Sequence, residues 1–170
     1  MSSARTSRYV DVFRALDDAG VRHVVVGGLA VVLHGHARLT VDLDLVVDLA
    51  PDPAARAMQV LTSLGLLPRL PVDARTFADA TVRQQWVQER NLQVFSLHDP
   101  ADPFREVDVF ATTPVPFEEL FADADLVRVD DVLVRVASVP HLIVMKEAAG
   151  RPQDVQDVAA LRRLQQGGPA

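Results

Sequence analysis

Short aliphatic stretches alternate with polar ones along this chain at two different periods, and the periods set the expected elements. Val12, Phe13, Leu16 and Ala19 recur at helical spacing, which predicts an amphipathic helix over 10–19 closed by Gly20. Residues 23–26 form a short apolar strand that runs straight into Gly27-Gly28, and 29–34, apolar all round, follow as a buried helix. Residues 41–47 read as a second strand. Asp52 and Pro53 read as the N-cap and first turn of a helix over 54–64 that Gly65 ends.

The middle of the chain is less regular. Residues 68–79 show no clear period, and 80–90 fit either a helix or a strand pair, because Gln84, Gln85 and Gln88 blur the pattern. Strands are expected over 92–97 and 104–110, the latter with Glu106 and Asp108 on one face and Val107 and Val109 on the other. A helical turn at 117–122 precedes a hairpin of 126–129 and 132–137 around Asp130-Asp131. Two helices close the chain: 139–149, ended by Gly150, and a last one from Pro152 to near Gln166. With no repeat and no long linker, the reading is one domain over 1–170, ordered over about 8–166, with a frayed tail from Gly167. The class is α+β: a mixed β-sheet flanked by helices, two of them C-terminal.

Composition narrows the function. A chain of 170 residues that is 49% apolar can bury a sizeable core and is not disordered in character. A formal net charge of -6 argues against a free-standing nucleic-acid binder held by phosphate contacts, although a local basic patch is compatible with it. The absence of cysteine excludes disulfides, thiolate chemistry and a Cys-ligated zinc site. No apolar run approaches the ~18 residues that span a bilayer, and residues 1–8 lack a following apolar segment of the secretory kind. A soluble, cytoplasmic protein with no membrane partner is expected.

The candidate chemistry lies between Gly27 and Asp44. Asp42 and Asp44 are two apart on a predicted strand and so point the same way. Asp108 sits between valines on another strand, where an uncompensated carboxylate costs several kcal/mol. A divalent cation is one compensation, and oxygen-only donors suit Mg²⁺ or Mn²⁺ rather than zinc. Pairing with Arg38, Arg105 or Arg135, or a solvated sheet face, is the other. If the two strands are neighbours, Asp108 completes the site, as a ligand or as the acceptor of a hydroxyl proton. Asp48 shares the parity of Asp44 but lies about 13 Å on, and marks the strand end. Gly27-Gly28 permits a tight turn whose backbone N–H groups can approach phosphate. Thr40 shares the face of Asp42, and Arg38 can neutralise a carboxylate or a phosphate equally well. Lys146, alone in an apolar helix, either snorkels to solvent or serves the site. Asp154 and Asp157, early in the last helix, could simply favour its dipole. The histidines His34, His36, His98 and His141 show no ligand spacing with the acids, and Trp86 and Phe95 read as core.

The combination of Gly-Gly-x-Ala, then Arg38-x-Thr40-x-Asp42-Leu-Asp44, then a hydrophobic-Asp108-hydrophobic strand resembles the nucleotidyltransferases of the DNA polymerase β superfamily. The segment from Leu142 through Lys146, Gly150-Arg151, Asp154 and Asp157 narrows the likeness to small bacterial proteins related to AbiEii-type toxins of toxin–antitoxin systems. The resemblance covers about residues 10–165. It implies a nucleotidyltransferase-like sheet and a Mg²⁺-dependent transfer of a nucleoside monophosphate from an NTP to a hydroxyl of RNA such as tRNA, of a protein or of a small molecule. It further implies that Asp42, Asp44 and Asp108 are metal ligands, with Asp108 also the general base. Gly27, Gly28, Arg38, Thr40, Lys146 and Asp154 are then nucleotide-binding, Asp154 by supporting the site or pairing with Lys146. An RNA acceptor or a partner antitoxin protein is the implied company. Two departures stand out: Gly28 replaces a serine common at the turn, removing a hydroxyl, and the chain lacks the C-terminal domain of larger members. The competing expectation is a non-catalytic nucleotide- or partner-binding subunit. A metal-dependent phosphohydrolase is third, and leaves the glycine turn unexplained.

Overall fold

Seven strands and seven α-helices, in a computed structural model that describes residues 7–167, build one mixed sheet with helices on its faces. The predicted frayed tail therefore lies almost wholly outside the described residues. After a 3₁₀ turn at Ser7–Tyr9 the chain runs α1 (Val10–Asp18), β1 (His23–Val26), α2 (Gly27–Leu33), β2 (Leu43–Val47), α3 (Pro51–Ser63) and β3 (Leu67–Pro68). A 3₁₀ segment at Ala74–Ala78 follows, then α4 (Ala80–Arg90), β4 (Val94–Asp99), β5 (Asp102–Phe110), α5 (Phe117–Ala122), β6 (Asp125–Val129), β7 (Val132–Val136), α6 (Val139–Ala149) and α7 (Pro152–Gln165). The strand order is β3-β4-β5-β2-β1-β7-β6. β2 is antiparallel to β1 but parallel to β5, and β1 is parallel to β7, so the sheet is mixed as expected.

The central strands β1 and β2 are buried along almost their whole length, which explains their uninterrupted aliphatic sequence. α1 packs Val12, Phe13 and Leu16 into the core, and α3 adds Ala54, Ala57, Met58 and Leu61. Both are faces that helical spacing anticipates. Trp86 stacks on Phe95 with ring centroids 5.5 Å apart, and Phe77 packs on the same ring at 5.3 Å, so both expected core aromatics are core.

Several boundaries differ from the sequence reading, each for a local reason. Residues 80–90 form a helix, because the Asp79 carboxylate accepts from the amides of Thr81 and Val82 and Asn91 takes the left-handed conformation that ends it. α3 begins at Pro51 rather than after an Asp52 cap. Prolines at 51 and 53 bring no N–H to satisfy, and the Asp48 carboxylate instead takes the Ala50 amide at 3.0 Å. The unassigned stretch 68–79 holds the Ala74–Ala78 turn, which buries Phe77 and is capped by Asp73. Strand β4 starts two residues later than expected, and β5 two earlier.

β2 starts at Leu43, not at 41. Its ladder to β1 stops at the Val26–Asp44 pair, where β1 turns into Gly27, and its ladder to β5 stops at Leu43–Val107. Beyond that point the Tyr9 hydroxyl takes over. It lies 2.8 Å from the Val41 carbonyl and 2.9 Å from that of Glu106, donating to one at a time, and accepts from the Glu106 amide at 3.2 Å. Tyr9 is 1% exposed, and burial foremost pushes its hydroxyl up to about 12, so it stays protonated. Tyr9→Phe leaves two carbonyls without this donor and is expected to cost about 1–3 kcal/mol. A urea denaturation midpoint unchanged from the wild type would refute the tether.

Candidate active site

Asp44 and Asp108 are register partners on the adjacent parallel strands β2 and β5, so their side chains leave the same face of the sheet side by side. The neighbouring strands that the sequence left as a condition are present. Asp42 lies just ahead of β2, in an exposed lead-in outside the ladder, so the strand parity expected to align it with Asp44 and Thr40 does not act there.

All three acids are held above their ordinary carboxyl range. Burial is the main cause for Asp44, which is pushed up to about 7; Asp108 and Asp42 add to it, while Lys146 and the Gly28 amide oppose it. Burial also leads for Asp108, with Glu106 and Asp42 adding and Ser96, its partner across β4, opposing. Asp42 is raised by partial desolvation and by Glu106, against Arg69. The arginines that might have paired with them are engaged elsewhere. Arg38 meets Asp157, Arg105 meets Asp11 and Asp99, and Arg135 stacks over Phe121. Among the described residues no ion pair involves Asp42, Asp44 or Asp108.

The glycine turn is shaped by Asp44. Gly27 has φ of +65°, and a Cβ there would stand 1.9 Å from Asp44 Oδ2. The Gly28 amide lies near enough to the same carboxylate to oppose its rise. A Cβ on Gly28 would stand 2.6 Å from Thr40 Oγ1 and 3.2 Å from the Arg38 guanidinium. The room that a serine would need at 28 is therefore taken, and a hydroxyl, that of Thr40, lies beside it. Gly27→Ala combines left-handed strain with displacement of Asp44, and is expected to cost about 2–4 kcal/mol. A chemical denaturation midpoint within error of the wild type would show that the turn relaxes freely.

Behind the turn lies a buried ionic cluster. Lys146, 6% exposed on α6, reaches Asp154 Oδ1 at 3.0 Å and Asp157 Oδ2 at 2.8 Å, both acids on α7 and each 1% exposed. Lys146 thus does not snorkel, and it pairs with Asp154 as one of the two expected roles had it. Arg151 closes on Asp154 through Nε at 2.8 Å and its own amide at 3.1 Å, capping α7. Arg38 joins through Asp157 Oδ2 at 2.5 Å. Three cations, Arg38, Lys146 and Arg151, face two carboxylates, so the cluster carries one positive charge in excess beside Asp44. Burial alone would raise Asp154, but Arg151 and Lys146 outweigh it and hold the carboxyl below its usual range. Asp154 does sit in the first turn of α7 and takes the Arg151 amide there, as the dipole explanation has it, and the buried ion pairs of Asp154 and Asp157 add a second role. Sequence reasoning missed Asp157, Tyr9, Arg151 and Ser96 as site residues. A lysine in an apolar helix followed by two acids at i, i+3 was the available signal for Asp157.

Superposed on solved structures, the chain matches the antibiotic-resistance factor ANT(2″)-Ia bound to adenylyl-2″-tobramycin with a TM-score of 0.60 at 14% identity, covering 96% of this chain and 90% of that one. It matches the lincosamide antibiotic adenylyltransferase LnuA, lincomycin-bound, at 0.59 and 14% identity over 92% and 94%. An antigenic nucleotidyltransferase-like protein from Paracoccidioides brasiliensis matches at 0.58 and 18% identity over 96% and 78%. The chain has the nucleotidyltransferase fold. No protein-family model and no curated protein matches the sequence, so the likeness to nucleotidyltransferases is one of architecture.

In this nucleotidyltransferase fold the donors around Asp44 are oxygens only. Asp108 Oδ1 is buried without a hydrogen-bond partner among the described residues. Among the described residues no group of three or more histidine, aspartate or glutamate side chains is placed to hold a metal ion. Asp44 and Asp108, side by side with one buried oxygen unpartnered, are a donor set that fits Mg²⁺, an ion held by one or two carboxylates together with substrate phosphates. Among the described residues no helix is long and apolar enough to cross a membrane.

Proposed function

We propose that the chain is a Mg²⁺- or Mn²⁺-dependent nucleotidyltransferase that moves a nucleoside monophosphate from an NTP to an acceptor hydroxyl. The observation that carries this reading is the Asp44–Asp108 register pair, raised and unpaired, in a nucleotidyltransferase fold. Asp44 and Asp108 would hold the metal together with substrate phosphates, and Asp42, the third expected ligand, would join from the lead-in of β2; the ion when bound supplies charge neutralisation for acids and triphosphate together. Thr40 and Arg38 face the phosphates beside Gly28. The acceptor oxygen bonds to the α-phosphorus, the bond from that phosphorus to the bridging oxygen breaks, and pyrophosphate leaves. Asp108, held above the ordinary carboxyl range by burial, takes the hydroxyl proton. The excess positive charge of the Lys146 cluster favours the triphosphate electrostatically.

LnuA is lincomycin-bound and ANT(2″)-Ia is in complex with adenylyl-2″-tobramycin, which favours a small-molecule hydroxyl as acceptor; RNA and protein are the alternatives. The toxin role, with an antitoxin protein partner, rests on the resemblance of the segment from Lys146 to Asp157 alone. The test is incubation with each α-labelled NTP and Mg²⁺, offering total bacterial RNA, protein extract and hydroxylated small molecules, beside Asp42→Ala/Asp44→Ala. Label transferred by the wild type alone supports the reading and identifies the acceptor class. A wild type that binds no NTP in the presence of metal overturns it in favour of a partner-binding module.

A further inference from the structure

Residues 36–42 carry Arg38, Thr40 and Asp42 toward the glycine turn, yet belong to no helix or strand. The segment is held by side chains from distant parts of the chain. Arg38 reaches 119 residues onward to Asp157, and the Asp157 oxygen that receives it also receives Lys146. On its near side Arg38 lies against Gly28, where it and Thr40 fill the space that a side chain would need.

We propose that Asp157 is a positioning residue, which fixes the 36–42 segment through Arg38 and thereby sets the Thr40 hydroxyl and the Arg38 guanidinium beside Gly28 for binding a nucleotide's phosphates. What the segment is positioned for rests on the nucleotidyltransferase reading; the tether itself does not. Two observations separate this role from that of a mere counter-ion to Lys146. Lys146 already has Asp154 at 3.0 Å. Asp157 turns a single oxygen, Oδ2, to both Arg38 and Lys146, while its Oδ1 is buried without a partner among the described residues, so the contact to Arg38 is more than Lys146 requires. Asp157 thus links the C-terminal helix to the lead-in of β2, where backbone pairing has stopped.

The test compares wild type, Asp157→Asn, Arg38→Met and the double variant in limited proteolysis by thermolysin, which cleaves beside the exposed Leu39 and Val41, and in equilibrium binding of Mg²⁺·ATP and the other Mg²⁺·NTPs. Each single variant is expected to speed cleavage within 36–42 at least tenfold while the rest of the chain stays resistant, and to weaken nucleotide binding at least tenfold. The double variant should be no weaker than the weaker single one, since both remove the same tether. Arg38→Met leaves the Lys146–Asp157 pair whole, and its cleavage rate decides the matter if Asp157→Asn does not fold. Unchanged cleavage within 36–42, or effects that multiply in the double variant, would overturn the proposal. A wild type that binds no nucleotide counts against the transferase reading, while the proteolysis measurement still decides the tether.

Discussion

At pH 8 the metal-free Asp44→Asn variant melts roughly 10 °C above the wild type and transfers no nucleotide. The folded Asp44 carboxyl is pushed up to about 7 from an ordinary 3.8, foremost by burial and next by Asp108. The folded state therefore holds a proton that the unfolded state has lost between about pH 4 and 7. The stability linked to that proton is complete below pH 4 and is lost as the pH rises through 7, a difference of at most about 4 kcal/mol. Asparagine carries no charge to desolvate and keeps an oxygen for the Gly28 amide. The two proteins should consequently converge on acidification to pH 4 and diverge toward pH 8. Adding Mg²⁺ at pH 8 should raise the wild-type melting temperature and leave that of the variant unmoved. If the variant were instead less stable than the wild type at pH 8, Asp44 would be a structural partner of Lys146, and the case for an uncompensated metal-binding acid would fail. On the proposed reading the destabilising charge and the activity have one origin: an acid that Lys146 and the Gly28 amide offset only in part and that a bound cation would satisfy.

The acids of this site were visible early because their signal is local. Two aspartates two apart after a glycine turn need no knowledge of the rest of the chain. That Asp108 joins them depends on β5 lying beside β2, and the order β3-β4-β5-β2-β1-β7-β6 separates sequence neighbours such as β2 and β3 by two strands. No periodicity contains that information. The misplaced start of β2 has the same origin, since whether 41 and 42 extend a strand depends on whether partners reach that far. There the partner is a tyrosine hydroxyl from residue 9. α4 is ambiguous in sequence because Gln84, Gln85 and Gln88 blur its period, and its inward face includes Arg83, which buries its guanidinium against the carbonyls of Phe77 and Leu49 and so lowers the apolar count further. At Gly28 the structure adds what the sequence does not show: Thr40, twelve residues on, brings a hydroxyl into the space that a serine side chain at 28 would need.

Lys146→Met should be the most damaging single change in the C-terminal helices, and its damage should depend on pH. Methionine keeps the length and apolar packing of the stem, so the loss isolates the ammonium. Asp154 and Asp157 would face each other with Arg151 and Arg38 alone. Removing one partner of a buried ion cluster costs about 3–5 kcal/mol, or roughly 10 °C in a domain of this size. Asp154 is held below its usual range because Arg151 and Lys146 overcome the effect of burial. Stability from such a group is present above the ordinary carboxyl value and is lost as pH falls through the lower folded value. The share due to Lys146 therefore disappears on acidification. Lys146 also opposes the rise of Asp44, so its loss makes Asp44 costlier to ionise as the pH climbs. Both effects widen the gap toward pH 8 and close it toward pH 3, and thermal unfolding across that range reads the gap directly. Lys146→Met/Asp154→Asn should recover part of the loss, since it removes the repulsion between the two acids. A deficit equal at every pH would mean that Lys146 acts through packing alone. The surplus charge of the cluster would then have no claim on the phosphates of a nucleotide.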